Sequence, residues 1–312
     1  MIQEQRYELP HGMGLNCRVA GTEGRPVLMF LHGFPEAAFV WDPLLAHFSQ
    51  AAHGGYFCIA PHLRGFAGSS SPTEVAAYRA KHLVQDIAAL KQQVSPDQAL
   101  AALVAHDWGG AVAWNLANQH PEWLHDLVII NSPHPGTFLR ELKHSPAQQA
   151  ASAYMNFLIR PDAEALLAED DYRRLWSFFD NMGASNGPHA WLSEDEKNKY
   201  RAVWNQGLTG ALNYYRASPL RPPRPEDPAA SAIDLPDAML TIDLPTLVIW
   251  GMQDIALPPG LLDGLEAYVP QMELARIDEG THWLVHEQPA RVAELIEHWL
   301  GRKPTAHPQA GS

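Results

Sequence analysis

The stretch VAHDWGGAVAW, residues 104–114, ends an apolar run, turns on two glycines and restarts with helical spacing, with Asp107 at the apex. A carboxylate at the end of a buried strand is costly unless it is paired or used. Ala105 and Gly109 flank Asp107 at two residues on either side, and Gly110 follows. Such small neighbours let the chain turn sharply from strand to helix, which lifts one side chain above the C-terminal edge of a sheet. The N-terminus of the following helix favours negative charge there. This is the spacing of a nucleophile elbow with aspartate in place of serine. Taken alone, an Asp-x-Gly-Gly turn is more often a capping or salt-bridged aspartate, so the rest of the chain has to decide.

Outward from this turn, short apolar runs alternate with helix-like stretches. RPVLMFLHG (25–33), YFCIAPH (56–62), LAALVAH (100–106), LVIINSP (127–133) and PTLVIWG (245–251) read as strands buried on both faces, as in a parallel sheet. Residues 78–94, 109–120 and 289–300 have helical spacing. The alternation predicts an α/β fold with a mostly parallel central sheet flanked by helices, and the first segment, RYELPHGMGLNCRVAG, predicts an antiparallel edge hairpin. From Pro135 to Pro236 there are helix-like runs and no convincing strand. DDYRRLWSFFDNMG is one, and SEDEKNKYRAVWNQG, with Ser193 as N-cap and Glu196 three residues on, is another. The proline-rich SPLRPPRPEDPAAS (218–231) predicts an extended loop. The expected organisation is a core of residues 1–134 and 236–300, an inserted all-helical cap over 135–235, and a flexible tail over 301–312.

Composition narrows the function. The 312 residues carry 22 Lys and Arg against 35 Asp and Glu, a formal charge of −13. An acidic chain repels phosphate backbones, so nucleic acid is not an expected partner. Two cysteines, Cys17 and Cys58, suit a reducing compartment. The N-terminus lacks a signal-peptide core, and no apolar run approaches the roughly 20 residues that span a bilayer. The expectation is a soluble cytoplasmic protein without a membrane partner. There is no HExxH, no metal-ligand cluster and no dinucleotide loop, so neither a metal nor an organic cofactor is expected.

Three further segments weigh on Asp107. LHGFPE (31–36) follows the first long strand, and such a His-Gly-aromatic loop can aim a backbone N–H at an oxyanion. The expected donors are the amides of Phe34 and of Trp108, the residue after the nucleophile. WGMQDIALP sets Asp254 just past a strand, and DEGTHWLVHEQP sets His282 in a loop before the last helix. Alone, Asp254 reads as a helix cap and His282 as one of 16 histidines. In chain order the three are nucleophile, acid and histidine, each just past a predicted strand.

With HGFPE, PHLRGFAGSSSP, HDWGG, WGMQD and GTHW in view, the chain resembles the α/β-hydrolase superfamily within its epoxide hydrolase and haloalkane dehalogenase branch, and soluble epoxide hydrolases above all. The resemblance implies a cis Phe34–Pro35 peptide. PHLRGFAGSS departs from the family's PDLRGYGDSS at His62 and Ala67, among other positions. LNYYRASP (212–219) resembles the segment in which epoxide hydrolases carry a ring-opening tyrosine, which falls on Tyr215. ASAYMNFLIRP (151–161) resembles the one bearing the second, which falls on Tyr154. The implied activity is opening of a small hydrophobic epoxide to a vicinal diol, with water as co-substrate, through an ester on Asp107 hydrolysed by a His282-activated water. Trp176, Phe179, Met182 and Trp191 are expected to line the substrate pocket. A haloalkane dehalogenase is the alternative, although Phe34 stands where that branch commonly has a second halide donor, and it leaves the NYYR segment unexplained. A non-catalytic binder on the same scaffold is a third reading, but such proteins usually lose a triad member, and none is missing.

Overall fold

A computed structural model describes residues 1–224, 227 and 232–302. Eight strands form one sheet: β1 (Gln3–Glu8), β2 (Gly14–Ala20), β3 (Val27–Leu31), β4 (Phe57–Pro61), β5 (Ala102–His106), β6 (Leu127–Ile130), β7 (Thr246–Gly251) and β8 (Met272–Ile277). Their order is β1-β2-β4-β3-β5-β6-β7-β8. The first two form the edge hairpin, and β2 also runs antiparallel to β4; every other pairing is parallel. Strand β8 is the element that hydropathy does not announce. It is an edge strand, and Glu273 and Arg276 point to solvent, so its apolar residues are too few and too spread to form a run.

The alternation of side chains along each strand divides the core in two. Val27, Met29 and Leu31 of β3 join one layer with helices α2 (Ala80–Val94) and α3 (Trp108–Gln119). Leu28 and Phe30 join the other, which packs on α1 (Asp42–Phe48) and on the C-terminal helix. The parallel strands all end at the same sheet edge, where loops carrying reactive groups collect in open α/β sheets.

Between β6 and β7 the described residues hold six helices: α4 (Pro135–His144), α5 (Pro146–Ala151), α6 (Tyr154–Leu158), α7 (Ala163–Asp180, broken at Glu169–Tyr172), α8 (Glu194–Trp204) and α9 (Thr209–Ala217). Ser193 caps α8 as its sequence predicts, its hydroxyl accepting from the Glu196 N–H at 3.2 Å. The proline-rich loop is described over 218–224 and at 227, where the ladder is limited to one isolated bridge, Arg224–Asp227; its remainder lies outside the described residues. Helices α10 (Leu284–Glu287) and α11 (Pro289–Gly301) close the fold. Helix α11 takes in Gly301, the first residue of the expected tail, and residues 303–312 lie outside the described residues. No described helix is long and apolar enough to cross a membrane.

The elbow between β5 and α3 needs its glycines. A Cβ on Gly109 would stand 2.3 Å from the Leu31 carbonyl oxygen and 2.6 Å from that of His32, backbone that cannot step aside. Gly109→Ala is therefore expected to cost about 1–3 kcal/mol in urea unfolding. Gly301→Ala, with nothing within 4 Å of the added carbon, should leave the midpoint in place.

Candidate active site

Asp107 holds φ 49° and ψ −121°. Non-glycine residues rarely adopt such a backbone, and it costs on the order of 1–3 kcal/mol. The Ser132 hydroxyl fixes the turn by donating to the Asp107 carbonyl at 2.6 Å. On the far side Gly33 lets the β3 loop approach, since a Cβ there would lie 2.3 Å from the Asp107 Cβ. That approach brings the Phe34 N–H to Asp107 Oδ1 at 2.7 Å, and Phe34–Pro35 is cis. The second expected donor, the Trp108 N–H, makes no hydrogen bond to the carboxylate. Oδ1 is thus tethered, while Oδ2 faces His282 Nε2 at 3.8 Å, too far for a direct hydrogen bond.

Asp254 follows β7 and His282 follows β8, so neighbouring strand ends bring them together. Asp254 Oδ2 and His282 Nδ1 are 2.7 Å apart. The carboxylate is saturated: Oδ2 also accepts from Asn131 Nδ2 at 2.8 Å, and Oδ1 accepts from the amides of Ala256 and Leu257. Burial works against a charged imidazole, but the charge and hydrogen bond of Asp254, with the charges of Asp107 and Glu36, outweigh it and lift His282 to about 9. In this state the ring is an imidazolium at neutral pH, held between two carboxylates.

Sequence reasoning missed three residues here. Asn131, buried at φ 39°, bridges Asp254 to the Gly251 N–H. Glu36 and His106 flank recognised residues but lie beneath the site. Glu36 is wholly buried and meets His106 Nδ1 at 3.0 Å, His286 Nε2 at 2.8 Å and the Tyr200 hydroxyl at 3.3 Å. His106 Nε2 reaches the His282 carbonyl at 2.9 Å. Both nitrogens of His106 thus face oxygen atoms, one of a side chain and one of the backbone. Burial would raise the Glu36 carboxyl, but the hydrogen bonds and charges of His106 and His286 hold it well below the usual carboxylate range. The signal available in the sequence was HGFPE itself, whose glutamate follows a proline in an otherwise apolar loop.

The departures at His62 and Ala67 leave the PHLRGFAG loop ordered by other bonds. His62 Nδ1 accepts from the Ala38 N–H at 3.1 Å, and burial, with the His32 and Arg18 charges, lowers this ring to about 3. Arg64 grips Asp86 through two bonds of 2.6 and 2.7 Å.

A cavity of about 260 Å³ opens on Asp107 and Trp108, and Tyr154 and Tyr215 from the helical insertion line it. The tyrosine rings lie 6.1 Å apart at 79°. Burial first, then the neighbouring Asp107 charge among others, raises both hydroxyls above the ordinary phenol range, so both are neutral donors. Phe138, Met155 and Leu257 supply apolar wall, and Ala111, Val112 and Asn115 extend it along α3. None of Trp176, Phe179, Met182 or Trp191 lines this cavity, a correction to the expected pocket. Trp176 packs on Trp204 at 4.4 Å, Phe179 on Trp283 at 4.5 Å, and Trp191 stacks on His286 at 3.9 Å. Met182 packs against the same apolar cluster. Phe179 and Trp191 thus pack the insertion against the end of the core, while Trp176 packs among residues of the insertion itself.

A sheet of this order, with an elbow after its central strand and a histidine and an acid after later ones, defines a hydrolase architecture. A family described as alpha/beta hydrolase fold matches residues 26–289, and the chain belongs to it. A Bacillus subtilis protein of the AB hydrolase superfamily, YfhM, is 36% identical over 93% of this chain and 95% of its own. Mouse epoxide hydrolase 4 is 30% identical over 91% of this chain and 76% of its own. The crystal structure of a Bacillus megaterium epoxide hydrolase in complex with an inhibitor superposes with a TM-score of 0.84, at 30% identity, covering 96% of this chain and all of that one. The chain is thus an α/β hydrolase similar to epoxide hydrolases over most of its length.

Removing the Glu36 charge weakens the buried acceptor that His106, His286 and Tyr200 share. Glu36→Gln is expected to lower the free energy of unfolding by about 1–3 kcal/mol. Urea denaturation measures it; a loss below about 0.5 kcal/mol would show that these hydrogen bonds contribute little to the fold.

Proposed function

We propose that the protein is an epoxide hydrolase that opens a small hydrophobic epoxide to a vicinal diol through an ester on Asp107. The observation that carries this reading is the arrangement of groups around one cavity: a carboxylate with one oxygen tethered and the other free, and two neutral tyrosines in the same apolar wall. In the first step Asp107 Oδ2 attacks a ring carbon, the ring C–O bond breaks, and its electron pair leaves on the epoxide oxygen. Tyr154 and Tyr215 donate to that oxygen as negative charge builds on it. The charge thus leaves Asp107, where it had opposed ionisation of both tyrosines, and appears where their hydroxyls can meet it.

The same transfer changes His282. With Asp107 esterified, one of the charges that hold the imidazole up to about 9 is gone. The ring gives up its proton more easily as the alkoxide gains one. Neutral His282 then removes a proton from water, which attacks Cγ of the ester. Oδ1 becomes the oxyanion against the Phe34 N–H. Collapse expels the diol oxygen and restores the carboxylate with one oxygen from water. Asp254 holds the imidazole and balances the charge it acquires.

This division of labour is tested by His282→Gln, which keeps the nucleophile and both tyrosines and removes the base needed for hydrolysis. Incubated with styrene oxide, the folded variant is expected to gain one substrate mass by intact-protein mass spectrometry, at Asp107. A folded variant that turns over nothing and carries no adduct would overturn the covalent mechanism as written.

The tyrosines decide between an epoxide and a halide. Tyr154→Phe and Tyr215→Phe are each expected to slow single-turnover alkylation by about 10²-fold, and the double variant to lose nearly all turnover of styrene oxide. Near wild-type turnover by the double variant would remove both from the reaction. Release of bromide from 1-bromobutane at a rate matching or exceeding diol formation would favour the dehalogenase reading.

A further inference from the structure

The cavity at Asp107 continues well past the reacting groups. It follows one face of α3, past Ala111 and Val112 to Asn115. Asn115 lies seven residues beyond Trp108, about 10 Å along the helix at 1.5 Å per residue. There the cavity meets solvent, since Met239 also lines it and is 53% exposed. The loop that carries Met239 is fixed beside this part of α3: Asn118 Nδ2 donates to the carbonyls of Ala238 and Thr241 at 3.1 and 2.9 Å.

Most of this wall is apolar, and its hydroxyl protons away from the reacting groups are already spent. Tyr78 donates to the Pro72 carbonyl, Ser132 to that of Asp107, Tyr214 to that of Arg64 and Ser218 to that of Leu220. Asn115 differs. One Nδ2 proton goes to the Ala111 carbonyl one turn back, at 2.8 Å. That bond fixes the carboxamide, because Oδ1 in its place would set two acceptors against each other. The second Nδ2 proton and Oδ1 have no partner among the described residues, and Oδ1 is not sealed from solvent. An apolar side chain would complete the wall with no polar group to satisfy. A half-buried carboxamide held in one orientation is instead the kind of group that orients a ligand in an apolar pocket.

We infer, granted the epoxide reading of the site, that Asn115 is a specificity-determining residue that binds a hydroxyl or amide at the far end of the epoxide's substituent. With the ring at Asp107, the substituent trails along α3 toward the mouth. An extended chain advances about 1.2 Å per bond, so a group some seven or eight bonds from the reacting carbon reaches Asn115. The free N–H and Oδ1 match a neutral group that has both a proton and a lone pair. A carboxylate would leave Oδ1 unmet and add a second negative charge to a cavity that already holds Asp107.

The test compares two substrates of equal length, 7,8-epoxyoctan-1-ol and 1,2-epoxynonane, which differ by a hydroxyl in place of a methyl. The readout is the ratio of their kcat/KM values for diol formation. One hydrogen bond at a partly open site is worth about three- to ten-fold. Asn115→Leu and Asn115→Ala are therefore each expected to lower the hydroxyl-over-methyl ratio at least about three-fold, with circular dichroism checking that each variant folds. Gln119→Ala, exposed at the end of α3, should keep the wild-type ratio. A smaller change in the folded Asn115 variants would overturn the proposal. If the wild-type protein turned over neither epoxide, the epoxide reading would fall, and the corresponding diols would decide the role of Asn115 by calorimetry. The Kd of octane-1,2,8-triol relative to nonane-1,2-diol should then rise by the same factor in both variants. An equal Kd ratio in wild type and variants, or no binding of either diol, would overturn the proposal.

Discussion

Three carboxylates converge beneath one sheet edge, and the rest of the site is arranged to make that tolerable. Asp107, Asp254 and Glu36 would each be expensive to bury alone. Each is met by a different device. Asp254 accepts four hydrogen bonds, two of them from backbone amides. Glu36 is shared by two histidines and a tyrosine. Asp107 has one amide on one oxygen and leaves the other without a direct partner in the triad. The least satisfied carboxylate is the one facing the cavity, which is where a nucleophile is useful. The imidazoles of His106 and His282 lie with ring centres 4.7 Å apart.

Much of this was legible because it is local. The elbow at Asp107 is a matter of small residues at fixed offsets, and strands β3 to β7 are apolar runs bounded by turn residues. Asp254 and His282 could be placed by chain order, since parallel strands deliver their following loops to the same edge. What stayed hidden depends on contacts between distant segments. Nothing adjacent to Glu36 announces that two histidines 70 and 250 positions away will close on it. Asn131 looks like the end of a strand until its amide is seen to span Asp254 and Gly251. Strand β8 is half exposed and so lacks the pattern by which the others are read. The four large apolar residues expected in the pocket illustrate the same limit. Size and hydrophobicity show that Trp176, Phe179, Met182 and Trp191 are to be buried, but not against what. The structure packs Phe179 and Trp191 in the seam between insertion and core, and Trp176 inside the insertion.

That seam bears on how the insertion can serve the site. Besides the Tyr200 hydroxyl, which meets the side chains of Glu36 and His286, three of its polar bonds to the core end on backbone carbonyls. Trp204 Nε1 donates to Pro35 O at 2.8 Å, the Tyr214 hydroxyl to Arg64 O at 2.9 Å, and Asn213 Nδ2 to Thr73 O at 3.1 Å. Carbonyl acceptors on a folded loop are fixed points, unlike charged side chains on a surface, so these bonds register the insertion against the core. The consequence is sharpest at two adjacent residues of α9. Neighbours on a helix point about 100° apart. Tyr214 borders the cavity but serves as an anchor: it is buried, its hydroxyl is held by the core, and its ring packs on Phe66 and Tyr78. Tyr215 is thereby aimed at the cavity, edge-on to Phe34 and Trp108 at 5.1 Å each. The tyrosine that would meet a substrate oxygen is therefore held in place by the tyrosine beside it. Phe34, whose amide tethers Asp107, also packs its ring edge-on against Tyr215, so one loop touches both ends of the proposed reacting system.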